Sequence, residues 1–435
     1  MSKAKVKKPV KIDVHHVTRV EGHGNIVVDI QDGKMQRCDL QIVEAPRFFE
    51  AMLRGQPYEQ ASHLSSRICG ICAVTHATTS LRATENALGI VPSRQTALLR
   101  KLNLNGEMLD SHILHVYMLV APDFLGVGSV IPLAKTSPEV VLRALRMKKL
   151  AGDICSLVGG RHTHPVSTVV GGFTSLPDAA SIGDLHGRLL AMREDLDATI
   201  NLFQGLSLPN FERDTEFLAL STDDEYCFMD GAIASSDGGT WPIDQYLTVT
   251  NEHMVDHSTA KHAQNFRQAY MVGALARFNI NYEKLHDRAR QAASALGLQS
   301  KCINPYWNSI AQIVEMVHCT EDAILITERL LDEGILPEDP VPVQKLSGEG
   351  VGACEAPRGT LYHHYLIENG VLRRANCVIP TAQNLANIEA DMRELVPMSM
   401  EREPEEITLA LEMLVRAYDP CISCSTHMVE VNFVK

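Results

Sequence analysis

The chain has 435 residues, 45% of them hydrophobic, and a formal net charge of −13 at pH 7. That length supports a sizeable core, and the acidic balance argues against a nucleic-acid-binding role. No uninterrupted apolar run approaches the roughly 18 residues that a membrane helix needs. The best candidate, residues 112–134, is broken by Pro122, Asp123 and Pro132 and reads as a buried helix with a following loop, so no direct membrane insertion is expected. Residues 1–11 carry five lysines but no apolar segment, which reads as a solvated tail and not as a secretory signal. The chain is expected to be cytoplasmic, where thiols stay reduced, so pairs among its eleven cysteines suggest metal or redox chemistry ahead of structural disulfides.

In chain order, residues 12–43 read as β-structure. Asn25-Ile-Val-Val-Asp-Ile30 is followed by the turn signal Asp32-Gly33, with residues 38–43 as the return strand. From Ala73 the period becomes helical. Helices are expected over residues 73–88, 96–120, 138–158, 182–206, 258–278, 282–296 and 310–331; in the second of these, Leu98, Leu102, Leu109, Ile113 and Tyr117 recur at helical spacing. Residues 348–359 read as a glycine-containing loop. The stretch Gly348-Glu-Gly-Val-Gly352 lacks the Lys-Ser/Thr pair of a phosphate loop and does not match the dinucleotide fingerprint. There is no internal repeat and no convincing linker. The expected fold class is α+β, mainly α: a large helical core with a β-rich N-terminal part, in one domain.

Two Cys-x-x-Cys units bracket nearly the whole chain: Arg67-Ile-Cys69-Gly-Ile-Cys72-Ala-Val-Thr-His76 and Asp419-Pro-Cys421-Ile-Ser-Cys424-Ser-Thr-His427. Two intervening residues let both thiolates of a pair face one metal, and four thiolates make a soft donor set that suits zinc, iron–sulfur or nickel. A structural zinc site has the same donors, but its pairs usually lie within a few tens of residues of each other. A thioredoxin-like dithiol accounts for either pair alone and gives no reason for two. Spacing therefore supports a metal site and leaves the metal unnamed.

The residues around these pairs resemble a known family. Arg-x-Cys-Gly-x-Cys-x-x-x-His and Asp-Pro-Cys-x-x-Cys-x-x-His are similar to the two signatures of nickel–iron hydrogenase large subunits. Further motifs follow the same order: Arg19-Val-Glu21-Gly-His23, Arg47-Phe-Phe-Glu50, Gly160-Arg161 with His164-Pro165 and Gly171-Gly172, then Glu355-Ala-Pro-Arg358-Gly359 with Pro380-Thr381 and Asn384. The likeness spans residues 19 to 427.

That resemblance implies the hydrogenase large-subunit fold and a site of one nickel and one iron, the iron carrying carbon monoxide and cyanide. Cys69 and Cys421 would be terminal nickel ligands, and Cys72 and Cys424 would bridge nickel to iron. Dihydrogen would split heterolytically, the first proton going to the Cys421 or Cys424 thiolate or to Arg358. Glu21 would take the proton next. Arg358 would lie over the site near the cyanides, Thr381 would donate a hydrogen bond to one of them, and His76 would hydrogen-bond a cysteine sulfur. Glu50 and His427 would bind magnesium with the main-chain carbonyl just before Pro380.

Ser111 departs from the respiratory, membrane-associated branch, which carries an acidic residue there, and is more like the cytoplasmic branch. Asp256-His-Ser258-Thr-Ala-Lys261 loosely resembles the type coupled to flavin and heterodisulfide reductase subunits; an NAD(P)- or deazaflavin-coupled type stands close behind. The remaining seven cysteines (38, 155, 227, 302, 319, 354, 377) show no iron–sulfur spacing, so a small subunit with iron–sulfur clusters must take the electrons. Residues 428–435 follow His427, where the family is cut by a maturation protease, and read as a maturation peptide or a retained strand. Besides the enzyme, a hydrogen-sensing regulatory subunit, a metal-free descendant and an unrelated zinc or dithiol protein remain as alternatives.

Overall fold

The computed structural model describes residues 10–31 and 34–426. The N-terminal β-structure is an antiparallel meander of Val10–Val14, Gly24–Gln31 and Lys34–Ile42. Alternation sets its faces: Ile26, Val28 and Ile30 point inward together with Leu40 and Ile42. Gln31 pairs with Lys34 across the hairpin; the turn residues Asp32 and Gly33 lie outside the described residues.

The helical core follows the sequence closely. Ala73–Leu88 has the expected bounds and ends at Gly89, whose φ of 71° supplies the left-handed cap. Arg94–Ile113 starts at Ser93, whose hydroxyl accepts from Thr96 N at 3.0 Å. It runs on through a widened turn, Leu114–Val120, into the short helix Ala121–Phe124, where Pro122 is tolerated in the first turn. Pro138–Gly159, Ala179–Gln204 and Asn308–Glu333 pack with it around Leu102, Leu109, Ile154, Leu189, Ile313 and Val317.

At the centre lies a buried ionic knot. Arg277 reaches Glu315 with two bonds of 2.7 Å and Glu355 with one of 3.0 Å, while Glu315 also meets His112 Nε2 at 2.8 Å and accepts from the Tyr226 hydroxyl at 2.5 Å. Burial raises the Glu315 carboxyl, but the charge and hydrogen bonds of Arg277, with those of His112, outweigh it and hold the group far below the ordinary carboxylate range.

Three expectations need correction. Residues 348–359 are not a loop: Gly348–Ala356 is a strand, paired with Gly359–Glu368 and through it with Val371–Val378. Its glycines alternate at 348, 350 and 352 against the helix Ala73–Leu88. A Cβ on them would sit 1.9 Å from Ala87 O, 2.2 Å from Ala87 N and 2.3 Å from Thr79 O. The stripe lets helix and sheet backbones touch, which no side chain would permit.

Residues 258–278 do not form one helix. The chain makes an isolated bridge between His253 and His262, a short strand Tyr270–Met271 beside Glu216–Ser221, and then the helix Ala274–Asn281. Gly273, at φ 115°, breaks any continuous helix there. Thr259 instead ties the segment to the meander through Ile42 O at 3.0 Å and Glu44 O at 2.7 Å. Residues 282–296 likewise divide into a tight turn, Tyr282–Lys284, and the helix Asp287–Leu296.

The chain ends in Pro380–Ser399, Pro404–Ala417 and the single turn Ile422–Ser425. The first two begin at a proline, and the second carries a capping box between Glu403 and Glu406.

Candidate metal centre

Cys69 follows the tight turn Ser66–Ile68, and Cys72 caps the N-terminus of Ala73–Leu88. Cys421 and Cys424 sit on the turn after Pro420. The fold brings these pairs together across 352 positions: Cys69 Sγ lies 3.4 Å from Cys421 Sγ, Cys72 Sγ 4.0 Å from Cys424 Sγ, and Cys421 Sγ 2.9 Å from Cys424 Sγ. All four sulfurs lie within 4.8 Å of one another, all four residues are buried, and none forms a disulfide. Sulfurs about 2.3 Å from one metal stand roughly 3.8 Å apart; the 3.4 and 4.0 Å spacings bracket that distance, and the 2.9 Å pair would open to reach it.

The electrostatics also fit. Contacts from the Cys421, Cys424 and Cys72 thiols hold Cys69 well below the ordinary thiol range, while burial pushes Cys424 well above it. Four thiolates in so dry a place need cationic charge between them.

Two crosslinks fix the pairs. Arg47 donates to Ile68 O at 2.7 Å and to Ser423 O at 3.2 Å, joining the cysteine turns directly. Glu107, from Arg94–Ile113, accepts from Val74 N at 2.6 Å, from Thr75 N at 3.0 Å and from the Thr75 hydroxyl, holding the helix start beside Cys72. Burial lifts Glu107 to about 8 despite those donors.

Glu21 reaches the cluster from the loop before the second strand. Its backbone carbonyl accepts from Ile422 N at 2.9 Å. Its Oε2 accepts from Ser423 N at 3.1 Å and lies 3.1 Å from Cys421 Sγ, which donates to it. Gly22 makes the approach possible: at φ 85°, an added Cβ would lie 2.8 Å from Ile422 Cβ and from Ser423 N.

Arg358 is buried against the same turn. Its Nε donates to Asp419 O and its Nη2 to Asp419 Oδ1, both at 2.7 Å, and Nη1 donates to Ser111 Oγ at 3.2 Å. Thr381 Oγ1 accepts from Cys421 N at 3.0 Å, leaving its own proton to donate elsewhere; Pro380 beside it opens the helix.

Glu50, 4% exposed, accepts from Cys377 N at 2.7 Å, and burial raises its carboxyl above the usual range. His427 lies outside the described residues, as does the tail 428–435. The hydrogen bond found for His76 runs to His363, Nδ1 to Nε2 at 3.2 Å, instead of to a cysteine sulfur. Burial pulls His76 down to about 4, so its ring is neutral. Glu107 and His363 were not singled out in the sequence, and Arg47 and Asp419 appeared there only as the first residues of quoted motifs, without a role.

A soft, buried donor set framed by a mainly helical α+β fold defines a candidate metal-binding protein. Comparison with known proteins specifies it. The nickel-dependent hydrogenase family matches residues 47–141 and 245–427, and a HoxL-like family matches residues 11–45. The alpha chain of sulfhydrogenase 1 of Pyrococcus furiosus is 36% identical over 426 residues, covering 97% of this chain and 99% of its own. The corresponding chain of the F420-non-reducing hydrogenase of Methanothermobacter marburgensis is 30% identical over 465 residues, covering 97% and 95%. Among solved structures, an NAD+-reducing NiFe-hydrogenase in the H2-reduced state is 26% identical with a TM-score of 0.85, covering 96% of this chain and 99% of its own.

The chain belongs to the nickel-dependent hydrogenase family. It is the catalytic large subunit of a nickel–iron hydrogenase, an oxidoreductase acting on dihydrogen that pairs with a small subunit. Among the described residues, no helix is long and apolar enough to cross a membrane.

Proposed function

We propose that Cys69 and Cys421 are terminal ligands of nickel, that Cys72 and Cys424 bridge nickel to iron, and that the iron carries carbon monoxide and cyanide. The observation that carries this reading is the convergence of four buried sulfurs from the two ends of the chain. The metal pair held there would supply the net oxidation of dihydrogen to two protons and two electrons, the first proton leaving by heterolysis. Thiolates suit bridging because sulfur keeps spare, polarisable lone pairs after binding one metal, and a neutral imidazole does not.

The chain's own residues then move the proton. Cys421 Sγ holds it first and Glu21 Oε2 receives it, 3.1 Å away. This spacing favours Cys421 over Cys424 and Arg358 as first acceptor. Arg358, held by Asp419, would present positive charge toward the cyanides, and Thr381, whose hydroxyl proton is left free by the bond it accepts from Cys421 N, would donate to one of them. His76 lies one turn beyond Cys72, its amide donating to Cys72 O at 3.0 Å, and its neutral ring would reach a cysteine sulfur only by turning from His363. Glu50, His427 and the Ile379 carbonyl before Pro380 bind magnesium, which places a hard cation beside the buried Glu50 carboxylate.

Electrons leave through iron–sulfur clusters in the small subunit. Among the described residues, the one all-cysteine ligand group is the metal centre itself. Beyond it we place a soluble acceptor module of the flavin, heterodisulfide reductase or NAD(P)/deazaflavin kind, in the cytoplasm. The NAD+-reducing and F420-non-reducing relatives support further electron-transfer subunits, the first of them an acceptor of the NAD(P) kind. Residues 1–427 act as one domain, and residues 428–435 are a peptide removed by a maturation protease.

Elemental analysis of the purified mature complex tests the ligand assignment. One nickel per large subunit is expected, and its loss in Cys72→Ser and Cys421→Ser; full nickel in either variant would contradict it.

A further inference from the structure

A second convergence of ligand atoms stands apart from the thiols. His257, His262 and Glu389 offer two imidazole nitrogens and one carboxylate oxygen, all within 4.8 Å of one another. Glu389 comes from the middle of Pro380–Ser399; the histidines come from the irregular segment after Tyr246–Thr250.

Two features point to a ligand. His262 is 5% exposed, and its Nε2 is buried with no hydrogen-bond partner, an uncompensated cost for a polar atom. The residue is also pinned: its N–H and C=O both bond to the His253 backbone at 2.9 Å, so the ring is held in the interior. His257 is partly buried and packs edge-on against it, with ring centroids 5.6 Å apart. Its Nε2 lies 2.6 Å from Glu389 Oε1, which also accepts from Leu40 N at 3.0 Å. Arg393 stands on the far side of the carboxylate, Nη2 to Oε2 at 3.5 Å, and is itself largely exposed.

We propose that His257, His262 and Glu389 form a binding site for a divalent transition ion, separate from the nickel–iron centre and from the magnesium site. Two imidazoles and a carboxylate suit ions of borderline softness such as zinc(II), and suit magnesium or calcium poorly. The ion replaces the single His257–Glu389 hydrogen bond and gives His262 Nε2 a partner. Water completes the shell from the solvent side of His257, whose side chain is 20% exposed. The ion staples three elements: the helix that begins at Pro380 and Thr381, the strand carrying Leu40, and the segment whose Thr259 holds Ile42 and Glu44.

Equilibrium dialysis of the mature, nickel-loaded complex against buffered zinc tests this, with zinc counted by elemental analysis and its ligands read by zinc-edge X-ray absorption. The wild type should take up one zinc more per large subunit than His262→Ala or His257→Gln, with nitrogen and oxygen neighbours alone. Its melting midpoint should rise by several degrees on zinc addition, and the variants' should not. Unchanged dihydrogen uptake by the variants shows that they fold. Equal zinc uptake by wild type and both variants, or sulfur neighbours around the additional zinc, overturns the proposal.

Discussion

Glu21 and Cys421 stand 400 positions apart, yet Glu21 Oε2 lies 3.1 Å from Cys421 Sγ, the sulfur donating to the carboxylate. The pairing is built into the backbone, because Glu21 O accepts from Ile422 N and Gly22 leaves no room for a side chain. A carboxylate placed so is a proton acceptor, and an amide of the same shape is not. Glu21→Gln should lower deuterium–proton exchange by about 100- to 10,000-fold, the usual worth of a general base, with nickel content unchanged. Wild-type exchange rates in that variant would remove Glu21 from the relay.

Glu50 is a carboxylate with almost no access to water and a single neutral donor described on it, Cys377 N. Its nearest lysine, Lys261, is engaged by Glu252 at 3.0 Å. A bound cation is the expected balance. Glu50→Gln should lose one magnesium per large subunit by elemental analysis and lower the melting midpoint. Retention of magnesium would place the ion elsewhere.

The Arg277–Glu315–Glu355 knot makes a stability prediction. Glu315→Ala leaves Arg277, His112 Nε2 and the Tyr226 hydroxyl without their shared acceptor in a region shut off from water. Breaking one side of such a buried pair costs about 3–5 kcal/mol. Thermal melting of the complex should show a drop of many degrees for Glu315→Ala; a shift as small as that of a surface substitution would contradict the assignment.

His318 sets part of the acid limit. Burial, with the neighbouring His286 adding to it, pulls its ring from the ordinary value down to about 4. Between pH 6.5 and about 4 the unfolded chain takes a proton there and the folded chain does not. Stability from this residue is therefore complete above pH 6.5 and falls as the pH drops toward 4. His318→Gln should flatten the decline in melting midpoint over that window. An acid limb as steep as the wild type's would show that other groups govern it.

The sequence exposed the two cysteine pairs, Glu21 and the helix Ala73–Leu88 because each is a local pattern: a spacing, a motif or a period. It hid what depends on close approach in three dimensions. The glycines at 348, 350 and 352 looked like loop punctuation, and only the helix lying against them shows that they are the flat face of a strand. Residues 258–273 were composed like a helix, but they run through bends, an isolated bridge and a two-residue strand, tied to the meander by bonds from Thr259 to Ile42 and Glu44. Glu107 carries no motif, and the motif that holds Arg47 pointed to Glu50 alone; the importance of both comes from the backbone amides and carbonyls that the fold turns toward them.

The central claim is that four thiolates hold a nickel–iron pair whose iron bears diatomic ligands. Infrared spectroscopy of the purified mature complex tests it most directly, because carbon monoxide and cyanide on iron absorb where protein does not. The account predicts carbon monoxide and cyanide bands in the wild type and in Glu21→Gln, and their loss in Cys72→Ser. A nickel-loaded, active wild-type enzyme without those bands would contradict it.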